Sequence, residues 1–389
     1  MPLKSKIDQE ILHIVEKLNS ASHETYIVGG AVRDMLLGIN PKDYDIATSA
    51  TPEQIKAVFK RNARIIGRRF RLVHYSAGRR IVEISTFRRE PAEHEKLIEV
   101  KGKLRPNENT YGNASEDAWR RDLTVNAIFY DPISDKIIDF TGMGAEDLKK
   151  GIVRTVGDPD KRFSEDPVRI LRSLKLVGQY NFSLEEKTLK AINRHKESIK
   201  NASSSRLSLE LEKILKSQYS AKILSTFFDF GFMECFLPKI ASETEKNPSR
   251  KKLLLDIMTE WNSRISHGEY RNSISVSLAS ISIPFVLDIL ELEDIDSPIR
   301  PRWQIESQLS EKFKDLLSPY TFPKRLTAVS REILLMQPIL LKHQRSPHVM
   351  NHRRFEHARE LFKLLNKTVW NNEELEQRWT DKNQNNKHQ

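Results

Sequence analysis

Gly29 and Gly30 are followed, after a gap of twelve residues, by Asp43-Tyr44-Asp45-Ile46. Glycine lets a backbone approach a ligand closely, and a helix opening there turns its first amides and its dipole toward an anion. Arg33, one turn on, adds a cation suited to a phosphate. Asp43 and Asp45 stand two apart, so on a strand both carboxylates leave one face while Tyr44 and Ile46 enter the core. Their Cβ atoms would be about 7 Å apart, close enough to bracket one or two Mg²⁺ ions. Like charges so placed repel and are costly without cations. A bare Asp-x-Asp reads best as a solvated turn acid plus a cap, and the glycine pair ahead of this one reverses that reading. Glycine for close approach, arginine for phosphate and paired carboxylates for metal are the parts that phosphoryl transfer requires.

Other groups point the same way. In Ile81–Phe87, Glu83 shares a face with Ile81 and Ser85, opposite Val82, Ile84 and Thr86. Laid beside Asp43 and Asp45, it would be a third metal carboxylate; otherwise it is a surface acid pairing with a neighbouring arginine. Arg120, Arg121 and Asp122 can serve the triphosphate and ribose of a nucleotide, although such triplets are also common on solvated surfaces. In Phe163–Val177, Ser164 reads as a helix cap, with Glu165, Asp166 and Pro167 in the first turn. Glu165, Arg169 and Arg172 then line one side, Asp166 sits beside Arg169, and Ile170, Leu174 and Val177 face the core. That pattern is either a salt-bridge ladder or a rigid set of donors and acceptors able to read a base edge.

Ile65–Tyr75 reads as one strand carrying Arg68, Arg69 and Arg71, with Arg69 and Arg71 on the face turned toward phosphates near the aspartates. From Lys60 to Arg89, ten Lys or Arg residues stand against one acid, Glu83. Such an excess is the footprint of a polyanion partner, nucleic acid above all, or else a basic face that keeps the protein soluble.

Elements must hold these residues. Residues 1–150 alternate short β-rich runs with helical pieces: Thr25–Val28 a strand, Gly29–Gly38 a turn and helix, Lys42–Thr48 a strand. Thr51-Pro52-Glu53-Gln54 opens a helix with a Thr cap, and Ile128–Phe140 reads as a hairpin turning at Asp131-Pro132. Residues 89–118 read as a polar, mobile loop. From about Gly151, helical spacing of Leu and Ile takes over, with breaks near Asn247 and Ser346 and a polar, frayed end. The fold class is α+β. An α/β head with a small mixed sheet fills residues 1–150, a helical neck 151–240, a helical body 241–345, and a C-terminal helix and polar tail 346–389. The single cysteine, Cys235, excludes an intrachain disulfide and reads as a packed thiol. The first residues read as an amphipathic helix without a secretory h-region, and the most apolar windows are too interrupted to span a bilayer, so the cytoplasm is expected.

Taken in order, GGAVRD, KDYDIAT, GRRFRLVH, RRDLTVNAI, DFTGMGAEDLKKGIVRTVG and RFSEDPVRILRSLK resemble the class II tRNA nucleotidyltransferase/poly(A) polymerase family of the polymerase β superfamily. The resemblance covers roughly residues 24–240, with an echo in His352–Leu365. It implies a nucleotidyltransferase head in which Asp43 and Asp45 hold Mg²⁺ while an RNA 3′-OH attacks the α-phosphate of ATP, with Asp122 a further acid. It implies that Gly29, Gly30 and Arg33 meet the triphosphate and that Arg120, Arg121 and Asp122 bind nucleotide and ribose. Glu165, Asp166 and Arg169, with Arg172 a turn on, would be a protein template for the base, and Arg68, Arg69 and Arg71 would meet RNA.

The family divides into enzymes that finish tRNA with CCA and bacterial enzymes that add poly(A). GRRFRLVH, the long insertion between Phe87 and Glu116 and the Asn109–Asp122 context resemble the second group. The implied partners are ATP, RNA 3′ ends (mRNA, or tRNA in the CCA alternative) and the RNA-degradation machinery, in mRNA polyadenylation and turnover. A non-catalytic RNA-binding relative is the remaining alternative, and the presence of both aspartates speaks against it.

Overall fold

Ile11, Leu12, Ile14, Val15 and Leu18 recur at helical spacing in α1 (Gln9–Ser20), and all five are buried. The same residue-level logic runs through the computed structural model, which describes residues 3–67, 71–78, 80–95, 97–100, 103–106, 109–293, 300–342 and 346–379. Its strands up to residue 139 are β1 (Thr25–Val28), β2 (Asp45–Thr48), β3 (Ala63–Ile66), β4 (Leu72–Ala77), β5 (Arg80–Thr86), β6 (Leu97–Val100), β7 (Lys103–Pro106), β8 (Ile128–Asp131) and β9 (Lys136–Asp139). Seven of them form one sheet in the order β3-β4-β5-β2-β1-β8-β9, while β6 and β7 pair only with each other. The sheet is mixed because β2 runs parallel to β5 and antiparallel to β1. Val82, Ile84 and Thr86 of β5 are buried while Ile81 and Glu83 are exposed, the alternation a one-sided strand demands.

Helix α2 (Gly30–Leu36) follows β1 directly, and α3 (Pro52–Phe59) starts at the expected capping box, with Thr51 and Gln54 satisfying each other's backbone N–H. Helix α4 (Ala114–Arg120) rests Ala114 and Ala118 on a cluster of Val28, Ala47, Phe87 and Phe129 from the sheet. Small residues on that face bring the α4 backbone close to the strands. Helices α5 (Gly144–Lys150), α6 (Pro159–Glu165) and α7 (Val168–Tyr180) come next. Two further short strands, β10 (Ile152–Val153) and β11 (Ser183–Leu184), pair in parallel.

The chain divides into two compact units, Met1–Arg169 with Phe182–Asn193, and Ile170–Asn181 with Arg194–Gln389. The second is helical, its longest helix being Pro248–Ser266, which Asn247 caps by accepting from the Ser249 N–H. Cys235 is buried there, as expected of a packed thiol. No helix among the described residues is long and apolar enough to cross a membrane.

Four expectations need correction. Ile65–Tyr75 is two antiparallel strands, the first ending before Gly67, whose φ of +81° departs from a strand, with Ile66 opposite Leu72. The strand expected from Lys42 begins only at Asp45, and Asp43 sits in the bend before it. Residues 89–118 are not one irregular loop: they hold the β6–β7 hairpin and α4, whose capping box joins Asn113 to Glu116. Within the stretch expected to be frayed, Glu373–Arg378 is a helix and the buried indole N–H of Trp379 donates to the Leu340 carbonyl at 2.8 Å.

Candidate active site

The exposed carboxylate of Asp45 opens β2, where the register sets it opposite Val28 on β1 and Glu83 on β5. Gly29 follows Val28 at φ +73°, and a Cβ built there would stand 3.2 Å from Arg121 Nη1 and 3.8 Å from Asp45 Oδ2. The missing side chain thus leaves an opening between a guanidinium and a carboxylate. Asp43 is also exposed, two residues before Asp45. Glu83 is next to Asp45 in register, and its carboxylate lies 3.5 Å from His74 Nε2 on β4. Among the described residues no three His, Cys, Asp or Glu side chains converge on a possible metal position. Mg²⁺ does not demand such a cage: it takes one or two carboxylates and keeps waters and substrate phosphates as its other ligands. An exposed Asp45 beside a side-chain-free glycine, with exposed Asp43 two residues before it, fits that open mode of binding.

Arg120, Arg121 and Asp122 occupy the end of α4, so the packing of Ala114 and Ala118 on the sheet decides where they stand. Arg121 donates to Asp117 Oδ2 at 2.9 Å and to the Asn126 carbonyl at 3.4 Å, and its guanidinium lies 5.0 Å from the centroid of the Phe129 ring. Asp122 Oδ1 accepts from the Leu123 N–H at 2.9 Å and from Asn126 Nδ2 at 3.3 Å. Asn126 Oδ1 accepts in turn from Arg33 Nη1 at 2.7 Å. The Arg33 side chain, 10% exposed, also donates to Asp34 Oδ1. Asn126 therefore ties α2 to the arginine–aspartate motif, a joint that the sequence reading passed over. Its position four residues beyond Asp122 was the available signal.

The base-reading candidates are arranged differently from the single helix expected. Ser164 lies in the last turn of α6, where its hydroxyl donates to the Asp160 carbonyl at 2.8 Å. The cap of α7 is Asp166, whose Oδ1 accepts from the Val168 N–H at 3.1 Å. With Ser164 committed to the preceding helix, Asp166 is the next side chain able to satisfy an orphan amide. Glu165 and Arg169 still meet, at 3.2 Å, across the break. Arg172 points elsewhere, its Nη2 lying 3.7 Å from Glu210 Oε1. Ile170, Leu174 and Val177 are buried as expected.

Arg162, which the sequence reading did not single out, is 5% exposed. Its Nη2 donates to the Arg121 carbonyl at 2.6 Å and to that of Arg120. Burial, and then the Arg169 cation, push the Arg162 guanidinium below its ordinary pKa, while Glu165, Glu90 and Asp122 pull the other way.

Of the basic stretch, Arg68 and Arg69 lie outside the described residues. Arg71 is ion-paired with Glu53 of α3 and donates its backbone N–H to Asn109 Oδ1 at 3.0 Å. Arg80 pairs with Asp8 and Arg89 with Glu95.

Against known proteins, the model for "Poly A polymerase head domain" matches residues 25–154, that for "Probable RNA and SrmB- binding site of polymerase A" 181–244, and that for "Polymerase A arginine-rich C-terminus" 306–389. The Poly(A) polymerase I of Haemophilus influenzae is 34% identical over 336 residues, 85% of this chain and 74% of its own. The CCA-adding enzyme of Lactobacillus helveticus is 35% identical over 315 residues, 79% of this chain and 72% of its own. Among solved structures, the Bacillus stearothermophilus CCA-adding enzyme in complex with CTP shares the fold, at a TM-score of 0.53 and 24% identity over 92% of this chain and 82% of that one.

Proposed function

The chain belongs to the bacterial poly(A) polymerase and tRNA nucleotidyltransferase family, whose members transfer nucleotides to RNA, and on that premise we propose that it is a template-independent poly(A) polymerase. An RNA 3′-oxygen attacks the α-phosphorus of ATP, the bond to the bridging oxygen of the β-phosphate breaks, and pyrophosphate leaves. The observation that carries poly(A) over other products is the run of three polymerase A models along one chain, ending in the arginine-rich C-terminus at 306–389. The resemblance of GRRFRLVH to poly(A) polymerases supports the same choice. CCA addition to tRNA is the second reading, favoured by the 35% identity to a CCA-adding enzyme.

Asp43 and Asp45 would hold Mg²⁺, which when bound offsets charge on the triphosphate and favours the attacking alkoxide. The triphosphate would approach the Gly29 backbone, where no side chain stands in its way beside Arg121 and Asp45. Asp122, steadied by Asn126, would accept from a ribose hydroxyl. The adenine edge offers an amino donor and a ring-nitrogen acceptor, which a carboxylate and a guanidinium complement; guanine and uracil offer the reverse pattern. Glu165, Asp166 and Arg169 supply those complements.

Incubation of the protein with an RNA and each NTP singly tests the reading. Long tails from ATP alone are expected, and addition of C, C and A to a truncated tRNA followed by arrest overturns it. Asp45→Ala should abolish incorporation and leave RNA binding intact; unchanged incorporation removes Asp45 from the chemistry.

A further inference from the structure

We propose that Arg162 is the positioning residue that sets the segment Glu165–Arg169 against Arg120–Asp122, and that it thereby governs the choice between ATP and CTP. This rests on the roles assigned above to those two groups.

The Arg162 guanidinium joins two parts of the candidate site. Its Nη2 donates to the carbonyls of Arg120 and Arg121, at the C-terminal end of α4, where helix carbonyls lack partners and the dipole favours a cation. Its Nη1 is 3.4 Å from Glu165 Oε2 and 3.8 Å from Glu90 Oε1. The backbone carbonyl of Arg162 accepts from Arg169 Nη1 at 3.1 Å, and the same Nη1 is 3.2 Å from Glu165 Oε2. Arg162 therefore fastens the nucleotide-binding end of α4 to the acid of the base-reading segment through its buried side chain, and that acid in turn holds Arg169, which also donates to the Arg162 backbone carbonyl.

A planar fork is needed for this. An ammonium at Lys length is a point charge that cannot hold two carbonyls on one nitrogen and a carboxylate on another at fixed angles. Burying a cation is costly, so a residue there only to fill space would be better apolar.

Selectivity follows from base chemistry. Adenine and cytosine both present an amino donor beside a ring-nitrogen acceptor, so a fixed donor–acceptor pattern rejects guanine and uracil but does not separate ATP from CTP. Separation of those two depends on how far the reading groups stand from the sugar and phosphates. That distance is what the Arg162 contacts set, and misplacement by a fraction of an ångström to 1 Å costs up to about a hundredfold in rate.

The experiment uses the full chain with an RNA primer and Mg²⁺. The kcat and KM for ATP and for CTP are measured for wild type, Arg162→Lys and Arg162→Ala, alongside thermal melting. The expected result is a fall of about tenfold or more in the ATP-to-CTP ratio of kcat/KM for Arg162→Ala, with Arg162→Lys in between. Guanidinium ion at millimolar concentration should restore part of the ratio in Arg162→Ala without raising its melting temperature. A folded Arg162→Ala or Arg162→Lys with the wild-type ratio overturns the proposal, as does activity lost equally for both nucleotides. If Arg162→Ala does not fold, Arg162→Lys carries the test. A wild type that adds C, C and A overturns the poly(A) reading alone, because the ratio reads nucleotide discrimination in either reaction.

Discussion

A methyl group at Gly29 would press on Arg121 Nη1 from 3.2 Å, in a backbone conformation at φ +73° and ψ −136° that costs an L side chain about 1–3 kcal/mol. Gly29→Ala should therefore lower stability by about that amount in urea unfolding and raise the KM for ATP; an unchanged KM would separate Gly29 from the nucleotide. Cys235 makes a different kind of prediction. Burial first, and then the carboxylate of Glu197 at 3.1 Å, push its thiol up to about 12. The unfolded thiol titrates near about 8.5, so this contribution is complete below that pH and is lost as the pH rises toward the folded value. An aromatic disulfide reagent at pH 8 should leave Cys235 untouched in the folded chain and label it at once in denaturant; rapid native labelling would contradict the burial. At this scale Asp45 and Gly29 were legible because spacing alone marks them. Asn126 and Arg162 were not, since each acts through a contact distant in sequence, Asn126 with Arg33 at 93 positions and Arg162 with Arg121 at 41.

Gly178, inside α7, illustrates a conflict between local preference and packing. Alanine there would favour the helix by about 1 kcal/mol, yet its Cβ would meet Ile223 Cα at 2.7 Å and the Lys222 carbonyl at 2.9 Å. Both are backbone atoms of the helix Ser220–Asp229, which cannot swing aside as a side chain can. Overpacking costs about 1–3 kcal/mol, so Gly178→Ala should destabilise on balance, read as a lower urea midpoint; a rise would mean that the two helices separate freely. Elements announced by local chemistry were readable in advance: the Thr51 capping box, the Asp131-Pro132 hairpin and the one-sided β5 all stand where expected. Where a role depends on where the preceding helix ends, local chemistry misleads, as with Ser164, expected to cap the helix that Asp166 caps. Ser164 and Asp166 are both good caps, and only the termination of α6 assigns the cap to Asp166. The end of the first strand before Gly67 was hidden by apolar and basic residues that suit a continuous strand.

Across the whole molecule, the excess of cations amounts to a net charge of +11. Several arginines of the basic stretch are held in ion pairs at the surface, where each pair is worth about 0–1 kcal/mol and so exchanges readily for a phosphate. RNA affinity should fall with salt, with a log–log slope of about −0.7 for each phosphate contacted. Glu53→Gln, which releases Arg71, should tighten RNA binding up to about fivefold and steepen that slope. Unaltered affinity and slope would take Arg71 out of the RNA track.

The strand β10 has a further consequence, for the order in which the chain is made. Its partner β11 is encoded some thirty residues later, beyond a stretch that belongs to the other unit. The Thr155 N–H waits for the hydroxyl of Thr188, and Arg154 for Glu185, on that same returning segment. A ribosome adding about 5–20 residues per second exposes the active-site sheet seconds before the piece that closes its unit. During that interval the nascent head carries an open strand edge, and a chain stopped near residue 170 would keep it. Limited proteolysis of ribosome-bound chains should therefore show protection of the first unit arriving only after residue 193 has left the exit tunnel.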